Sequence, residues 1–213
     1  MNDLHNVRKD YSMHVLLEGH VYANPFDQFA KWLEEVRQSG DTDYNAMTLA
    51  TVDGQGFPNQ RIVLLREFSH QGAVFYTNYK SVKGKEIDAD PKVCLNFFWK
   101  EFERQVRMHG EARKLPAAVS DAYFASRPRE NQISAWASEQ STVVSGREEL
   151  EQRLREIEAR FEGKDVPRPP HWGGYTVYPI GFEFWQGRPG RLHDRLVYYC
   201  DADGSWFLER LAP

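Results

Sequence analysis

The sequence predicts a mainly β protein, a closed or nearly closed antiparallel β-barrel with helices packed around it. Three observations carry that expectation. Strand-like stretches lie towards both ends of the chain, helical periods intervene, and the turns between successive strands are short enough for hairpins, which pair antiparallel. With 213 residues, 41% of them hydrophobic, the chain has room for one large domain and the apolar side chains to fill it.

Residues 1–23 show no sustained period and carry Arg8, Lys9, Asp10 and Tyr11 in succession. They are expected to form a mobile N-terminal arm, with residues 24–213 as a single domain. Asn24-Pro25 is a cap residue followed by proline at the first helical position. Phe26, Phe29, Ala30, Leu33 and Val36 then recur at helical spacing until Gly40. Strands are expected over 46–52, 60–65 and 73–77, separated by Asp53-Gly54-Gln55-Gly56 and Gln71-Gly72. A short helix over 81–89 stops at Asp90-Pro91, and strands follow over 93–99 and 104–112. The first of these alternates poorly and is expected to be buried on both faces.

From 116 to 136 the pattern turns helical, with Val119, Tyr123 and Phe124 on one side, and Ser126-Arg127-Pro128-Arg129 breaks it. Arg127 and Arg129 therefore belong to a helix-helix junction. Ser145-Gly146 opens another helix with a Leu150, Leu154, Ile157 and Phe161 stripe and three i,i+4 pairs, Glu149/Arg153, Glu151/Arg155 and Glu156/Arg160. The proline-rich stretch 163–170 is a connector, because strand patterns resume at Tyr175 and run to the end.

The formal charge of −4, from 27 Lys and Arg against 31 Asp and Glu, gives no general pull towards nucleic acid. No apolar run approaches the roughly 18 residues of a membrane span, and the start lacks a signal peptide's apolar region. Cys94 and Cys200 form no C-x-x-C pair and are expected as reduced thiols in a cytoplasmic protein. Catalytic-triad, H-E-x-x-H, Walker and strand-linked G-x-G-x-x-G patterns are absent, and no metal is expected.

Arginine stands out instead, at strand ends and helix junctions: Arg61, Arg66, Arg104, Arg107, Arg127, Arg129, Arg191 and Arg195. Any one of them would ordinarily pair with a carboxylate or lie along the surface. Together they suggest local anion sites, since guanidinium forks match phosphate oxygens and stay charged. Lys80, Lys83 and Lys85 open a short helix that either holds a phosphate or is a solvated turn. The densest stretch is FEFWQGRPGRLHDR at 182–195. Trp185 there could be core and His193 an ordinary hydrogen-bonded histidine. On a strand, however, Arg191 and His193 would share a face and converge on one small molecule.

That stretch resembles the signature of the pyridoxine (pyridoxamine) 5′-phosphate oxidases. RIVLLR at 61–66, FYTN at 75–78, ERQVR at 103–107, YFASRPRENQISAW at 123–136, ASEQS at 137–141 and WGGY at 172–175 are similar to family blocks in family order. The likeness covers nearly the whole chain, from Arg8 to the terminal RLAP.

The resemblance implies an FMN-binding split antiparallel β-barrel working as a homodimer, with flavin sites at the subunit interface. FMN would be held by Arg61, Ile62, Val63, Leu64, Leu65, Arg66, Tyr76, Thr77, Lys83, Gln105, Gln140, Ser141, Trp185 and Arg195. The substrate would meet Arg8, Tyr11, Arg66, Tyr123, Arg127, Asn131, Arg191, Leu192 and His193. Arg191 and His193 would be the catalytic pair that orients the reacting carbon; whether His193 moves a proton stays open. The segment from Arg8 to Tyr11 resembles an arm that closes over the substrate, and Asp43 falls where the family places an acidic residue. The implied reaction oxidises pyridoxine 5′-phosphate or pyridoxamine 5′-phosphate to pyridoxal 5′-phosphate, with O2 as acceptor giving H2O2, and ammonia from the amine.

Three positions depart from the family pattern: Arg66 for Lys, Val82 for Arg and Asn131 for Ser. Val82 removes one cation near the FMN phosphate, so weaker FMN retention is expected. Two other functions fit the same residues, a split-barrel flavin oxidoreductase with another substrate and a non-catalytic pyridoxal 5′-phosphate carrier. Nucleic-acid binding ranks last because the chain is acidic overall.

Overall fold

A computed structural model of the protein describes residue 5 and residues 10–213; Arg8 lies outside the described residues. Helix α1 (Pro25–Gln38) precedes strands β1 (Ala46–Val52), β2 (Pro58–Leu64), β3 (Glu67–Ser69) and β4 (Gly72–Asn78). Helix α2 (Val82–Ala89), strands β5 (Lys92–Trp99) and β6 (Arg104–Lys114), and helices α3 (Ala117–Ala125), α4 (Arg129–Ala137) and α5 (Arg147–Arg160) follow. Strands β7 (Trp172–Gln186), β8 (Asp194–Cys200) and β9 (Trp206–Leu211) complete the chain. The strand order is β2-β1-β5-β6-β7-β4-β3, with β8 on β7 and β9 on β8. The β3–β4, β4–β7, β7–β8 and β8–β9 pairs are all antiparallel.

The chain divides into two compact units, one containing the described residues up to Leu49, Cys94–Gly110 and Pro179–Pro213, the other Ala50–Val93 and Glu111–Tyr178. In the first, α1 starts where the sequence places it: the Asn24 side chain accepts a hydrogen bond from the Phe26 amide at 2.9 Å, and Pro25 opens the helix. Its aromatic stripe is fully used. Phe29 packs on Phe97 at 4.9 Å between centroids, Trp32 meets Phe184 edge-on at 5.3 Å, and Phe26 meets Phe182 at 5.1 Å. Burying each such ring stabilises the unit by about 1.5–3 kcal/mol.

The described N-terminal residues pack on this unit. Glu103 Oε2 accepts from the amides of Ser12 (2.9 Å) and Met13 (3.1 Å), Asp194 Oδ2 accepts from the amide of Leu16 at 3.0 Å, and the Leu16 side chain is buried.

In the second unit Phe75 of β4 stacks on Tyr175 of β7 at 5.5 Å. Phe124, Ile133, Phe161, Val166 and Trp172 form a cluster against which Leu154 and Ile157 of α5 pack. The structure corrects two local expectations and adds one strand. Strand β5 alternates, with Val93, Leu95, Phe97 and Trp99 buried and Phe98 exposed, so its run of apolar residues hides an ordinary one-face-in pattern. Strand β3 is a three-residue hairpin arm too short to show a period. Of the three i,i+4 pairs on α5, Glu149–Arg153 forms at 2.5 Å, whereas Glu151 pairs backwards with Arg147 and Arg160 lies over the Trp136 ring.

Candidate functional site

A cavity of about 500 Å³ lies in the second unit, and most of the residues expected at the cofactor and substrate phosphates meet there. Strand β2 brings Arg61, Ile62, Val63 and Leu64, β4 brings Tyr76 and Thr77, and α2 brings Lys83. Arg66, Tyr123 of α3, Arg127 and Gln140 line it as well. Sequence reasoning missed Asn78, Ser134, Ala135, Ser138 and Trp172, which line it too.

Helix α2 holds its lysine in place because Ser81 caps it, the hydroxyl accepting from the Gly84 amide at 3.3 Å. The buried Lys83 ammonium donates to Gln140 Oε1 at 2.8 Å and to the hydroxyls of Thr77 and Ser81 at 3.3 Å. Burial pushes its pKa down to about 8; the Arg61 charge pushes the same way and Glu86 opposes. Arg61 is neutralised from behind. It donates to Thr51 Oγ1 and, at 3.2 Å, to the buried carboxylate of Glu86, which also accepts from Asn59 at 2.6 Å.

Arg127 has no such neutralisation. Among the described residues its Nη1, which is buried, has no hydrogen-bond partner and Arg66 forms no ion pair. Burial lowers the Arg127 pKa, Tyr123 opposes and Arg66 adds repulsion. The guanidinium lies 4.5 Å from the Trp172 ring centroid. Beside it Tyr76 and Tyr123 stack at 3.8 Å and 11°, and Tyr76 stacks on Trp172 at 5.4 Å. Gly174 makes room: a Cβ there would stand 2.8 Å from the Tyr76 ring. Stacked aromatic rings beside under-neutralised cations suit a flat, phosphorylated ligand.

The other expected residues stand elsewhere. Leu65 is buried core, Ser141 is exposed next to Gln140 with φ 73°, and Asn131 is exposed on the first turn of α4. Asp43 is exposed in the α1–β1 loop, its amide bonded to Asp41 Oδ1. Gln105 lies on β6 in the first unit, half-buried. Tyr11, Trp185, Arg191, Leu192, His193 and Arg195 are also in the first unit, around the β7–β8 hairpin. Arg191 and His193 are not on a strand. Arg191 ends a 3-10 turn (Pro189–Arg191) with φ 62°, after Gly190 at φ 63°, and His193 precedes β8, so a shared strand face does not place them. Two successive left-handed residues are what carry the chain round the loop, and for arginine that conformation costs on the order of 1 kcal/mol.

The hairpin has its own geometry. The His193 ring lies 4.7 Å from Trp185 and 5.7 Å, edge-on, from Tyr11, while Leu192 is exposed. Gly187 admits Tyr11, since a Cβ would stand 2.7 Å from the tyrosine's Cβ and ring. Arg195 donates to Glu183 at 2.9 Å and to the Ala212 carbonyl at 2.9 Å.

The collective anion reading of the arginines needs correction as well. Arg104 is buried, bonded to Glu35 and Gln186 and laid over Trp32; Arg107 pairs with Glu183; Arg129 donates to the carbonyls of Phe161 and Lys164. These three serve the fold. Cys94 and Cys200 are free thiols, and no group of metal-ligating side chains occurs among the described residues. No helix among them is long and apolar enough to cross a membrane.

The architecture matches two solved structures. PhzG from Burkholderia lata 383, solved with tetrahydrophenazine-1-carboxylic acid, superposes with TM-score 0.86 at 28% identity, over 93% of this chain and 98% of that one. A pyridoxamine 5′-phosphate oxidase-related, FMN binding protein from Nostoc punctiforme superposes with TM-score 0.71 at 16% identity, over 91% of this chain and 100% of that one, and shows the fold alone. The fold is the split antiparallel β-barrel of FMN-binding proteins. Residues 33–161 match the family model for pyridoxamine 5′-phosphate oxidase, and residues 172–213 that for the pyridoxine 5′-phosphate oxidase C-terminal dimerisation region. Pyridoxine/pyridoxamine 5′-phosphate oxidases of Flavobacterium johnsoniae and Microcystis aeruginosa are 51% and 50% identical, over 100% of both chains and over 98% and 97% of the two chains respectively. The chain belongs to the pyridoxamine 5′-phosphate oxidase family.

Proposed function

We propose that this chain is an FMN-dependent oxidase that converts pyridoxine 5′-phosphate and pyridoxamine 5′-phosphate to pyridoxal 5′-phosphate, with O2 as acceptor. The observation that carries the reading is the buried, partnerless Nη1 of Arg127 in a cavity walled by Tyr76, Tyr123 and Trp172. A charged donor without a partner is costly, and a phosphate oxygen supplies one. The residues fit both phosphates. Arg61, Lys83, Thr77 and Gln140 would hold FMN, and Arg66, Tyr123 and Arg127 the phosphate of the substrate. Trp185 and Arg195 would complete the cofactor site, and Tyr11, Arg191 and His193 would cover and orient the substrate, in a homodimer with FMN at the subunit interface. Bound FMN would supply the two-electron acceptor. The protein's task is then to neutralise the phosphates, align the pyridine ring and exclude water. Two free thiols, Cys94 and Cys200, fit a reducing, cytoplasmic setting.

The test is an anaerobic titration of the FMN-reconstituted protein with pyridoxine 5′-phosphate, then pyridoxamine 5′-phosphate, following oxidised-flavin absorbance. Unphosphorylated pyridoxine is the control. Bleaching by the phosphate esters, reversed by air, is expected. Bound FMN that neither ester bleaches would move the reading to another substrate, and vitamer binding without flavin to a carrier.

A further inference from the structure

The hairpin loop fixes the tautomer of His193. The Arg188 main-chain N–H donates to His193 Nδ1 at 3.0 Å. A main-chain amide can only donate, so Nδ1 must present its lone pair, and in the neutral ring the proton sits on Nε2. The loop is held so that this bond persists. Arg188 Nη1 donates to Asp194 Oδ2 at 3.2 Å, Asp194 Oδ1 accepts from Arg210 at 2.8 Å, and the Leu192 amide donates to the Pro189 carbonyl at 3.3 Å. Trp185 and Tyr11 pack against the imidazole. His193 is half-buried, and its Nε2 has no hydrogen-bond partner among the described residues.

We propose that His193 meets the substrate as an Nε2–H hydrogen-bond donor and not as a proton acceptor. Its contribution is then to hold an oxygen or nitrogen lone pair of the substrate in place beside the reacting carbon. What the donor meets rests on the proposed oxidase reading; the tautomer does not.

Two measurements test it. The first is a long-range proton–nitrogen correlation spectrum of the FMN-bound protein, labelled with 15N-histidine, at mildly alkaline pH, with His193 assigned by the signals lost in H193Q. A protonated Nε2 with a bare Nδ1 is expected; the reverse pattern, or a ring protonated on both nitrogens, overturns the proposal. The second compares H193Q, whose amide nitrogen reaches the Nε2 position, with H193N, whose amide reaches only Nδ1. Both should bind FMN, and H193N should fall below H193Q in kcat/KM by about tenfold to a hundredfold, the scale of one hydrogen bond to a polar substrate group. Equal losses, or a better H193N, overturn the donor role. If the wild-type protein oxidises neither ester, the oxidase reading fails and the spectrum alone still decides the tautomer.

Discussion

Replacing Arg127 with methionine should weaken phosphate binding without weakening the ligand-free protein, two effects of opposite sign from one side chain. In the ligand-free protein the buried Nη1 has no partner, a penalty of about 1–3 kcal/mol for a polar group and more for a charged one. Stacking of the guanidinium 4.5 Å from Trp172 offsets about 0.5–2 kcal/mol of it. Methionine keeps the length and the contact with the ring while removing the charge. Arg127→Met should therefore leave ligand-free stability unchanged or raise it by up to about 2 kcal/mol. For a chain of this size that is a Tm rise of up to roughly 4–8 °C. In the complex the same nitrogen would make a charge-assisted bond of about 1.5–3 kcal/mol, so affinity for pyridoxal 5′-phosphate should drop roughly 10- to 150-fold. Thermal melts of the FMN-free protein and calorimetric titration with pyridoxal 5′-phosphate read the two effects separately. A variant that melts well below wild type while binding the phosphate ester equally tightly would show that Arg127 is a strut over Trp172, and the reasoning would be wrong.

Three further outcomes follow from the same contacts. Lys83 has a folded pKa of about 8 against the ordinary 10.5, so between those values the unfolded chain holds a proton that the folded one has released, and ligand-free stability should rise with pH across that window; urea melts at several pH values should show the rise in wild type and its loss in Lys83→Met, and a wild-type slope of the other sign refutes the assignment. Glu103→Gln removes the charge that receives the Ser12 and Met13 amides, so limited proteolysis within residues 10–16 should speed up by about tenfold, on the scale of 1–2 kcal/mol for such bonds; an unchanged cleavage rate would mean that packing of Leu16 alone holds the segment. Val82 is half-exposed at the start of α2, beside Lys83, and Val82→Arg should tighten FMN binding by about tenfold or more, read as quenching of flavin fluorescence, and unaltered affinity would show that the arginine finds no phosphate to meet.

Where sequence signals were local, they survived folding. Asn24-Pro25 starts α1, Ser126–Arg129 breaks α3 from α4, and the turn at Asp53–Gly56 joins β1 to β2, because caps, prolines and tight turns act within a few residues and need no tertiary partner. Where the signal depended on partners, it misled. Arg104 and Arg129 looked like the same anion candidates as Arg127, yet Glu35 lies 69 positions away from Arg104 along the chain, and the carbonyls that receive Arg129 lie 32 and 35 positions from it. No local pattern reports such a partner. The spacing of Arg191 and His193 gives them a shared face only on a strand, and Gly190 and Arg191 both turn left-handed and release the segment from the ladder. Trp172 was within reach: it precedes two glycines whose missing side chains leave space for the rings of Tyr79 and Tyr76, a pattern that marks a close approach rather than a flexible strand.

The arginines and lysine of the cavity differ in how far the fold has already satisfied them, and that difference separates holding from binding. Arg61 has Glu86 and Thr51 behind it, so its orientation is set before any ligand arrives and its charge is half spent on the protein. Among the described residues Lys83 is hydrogen-bonded only to neutral oxygens, which orient the ammonium without neutralising it. Arg127 is neither neutralised nor fully hydrogen-bonded, held instead by the flat faces of Trp172 and Phe124. A fully paired cavity would be more stable and would gain little from an anion; a fully unpaired one would repel itself apart. Grading the three lets Arg61 pre-set the wall, while Lys83 and Arg127 keep the unspent charge that a phosphate can recover. Local rules of pairing are therefore broken most at Arg127, where an incoming ligand has the most to gain by mending them.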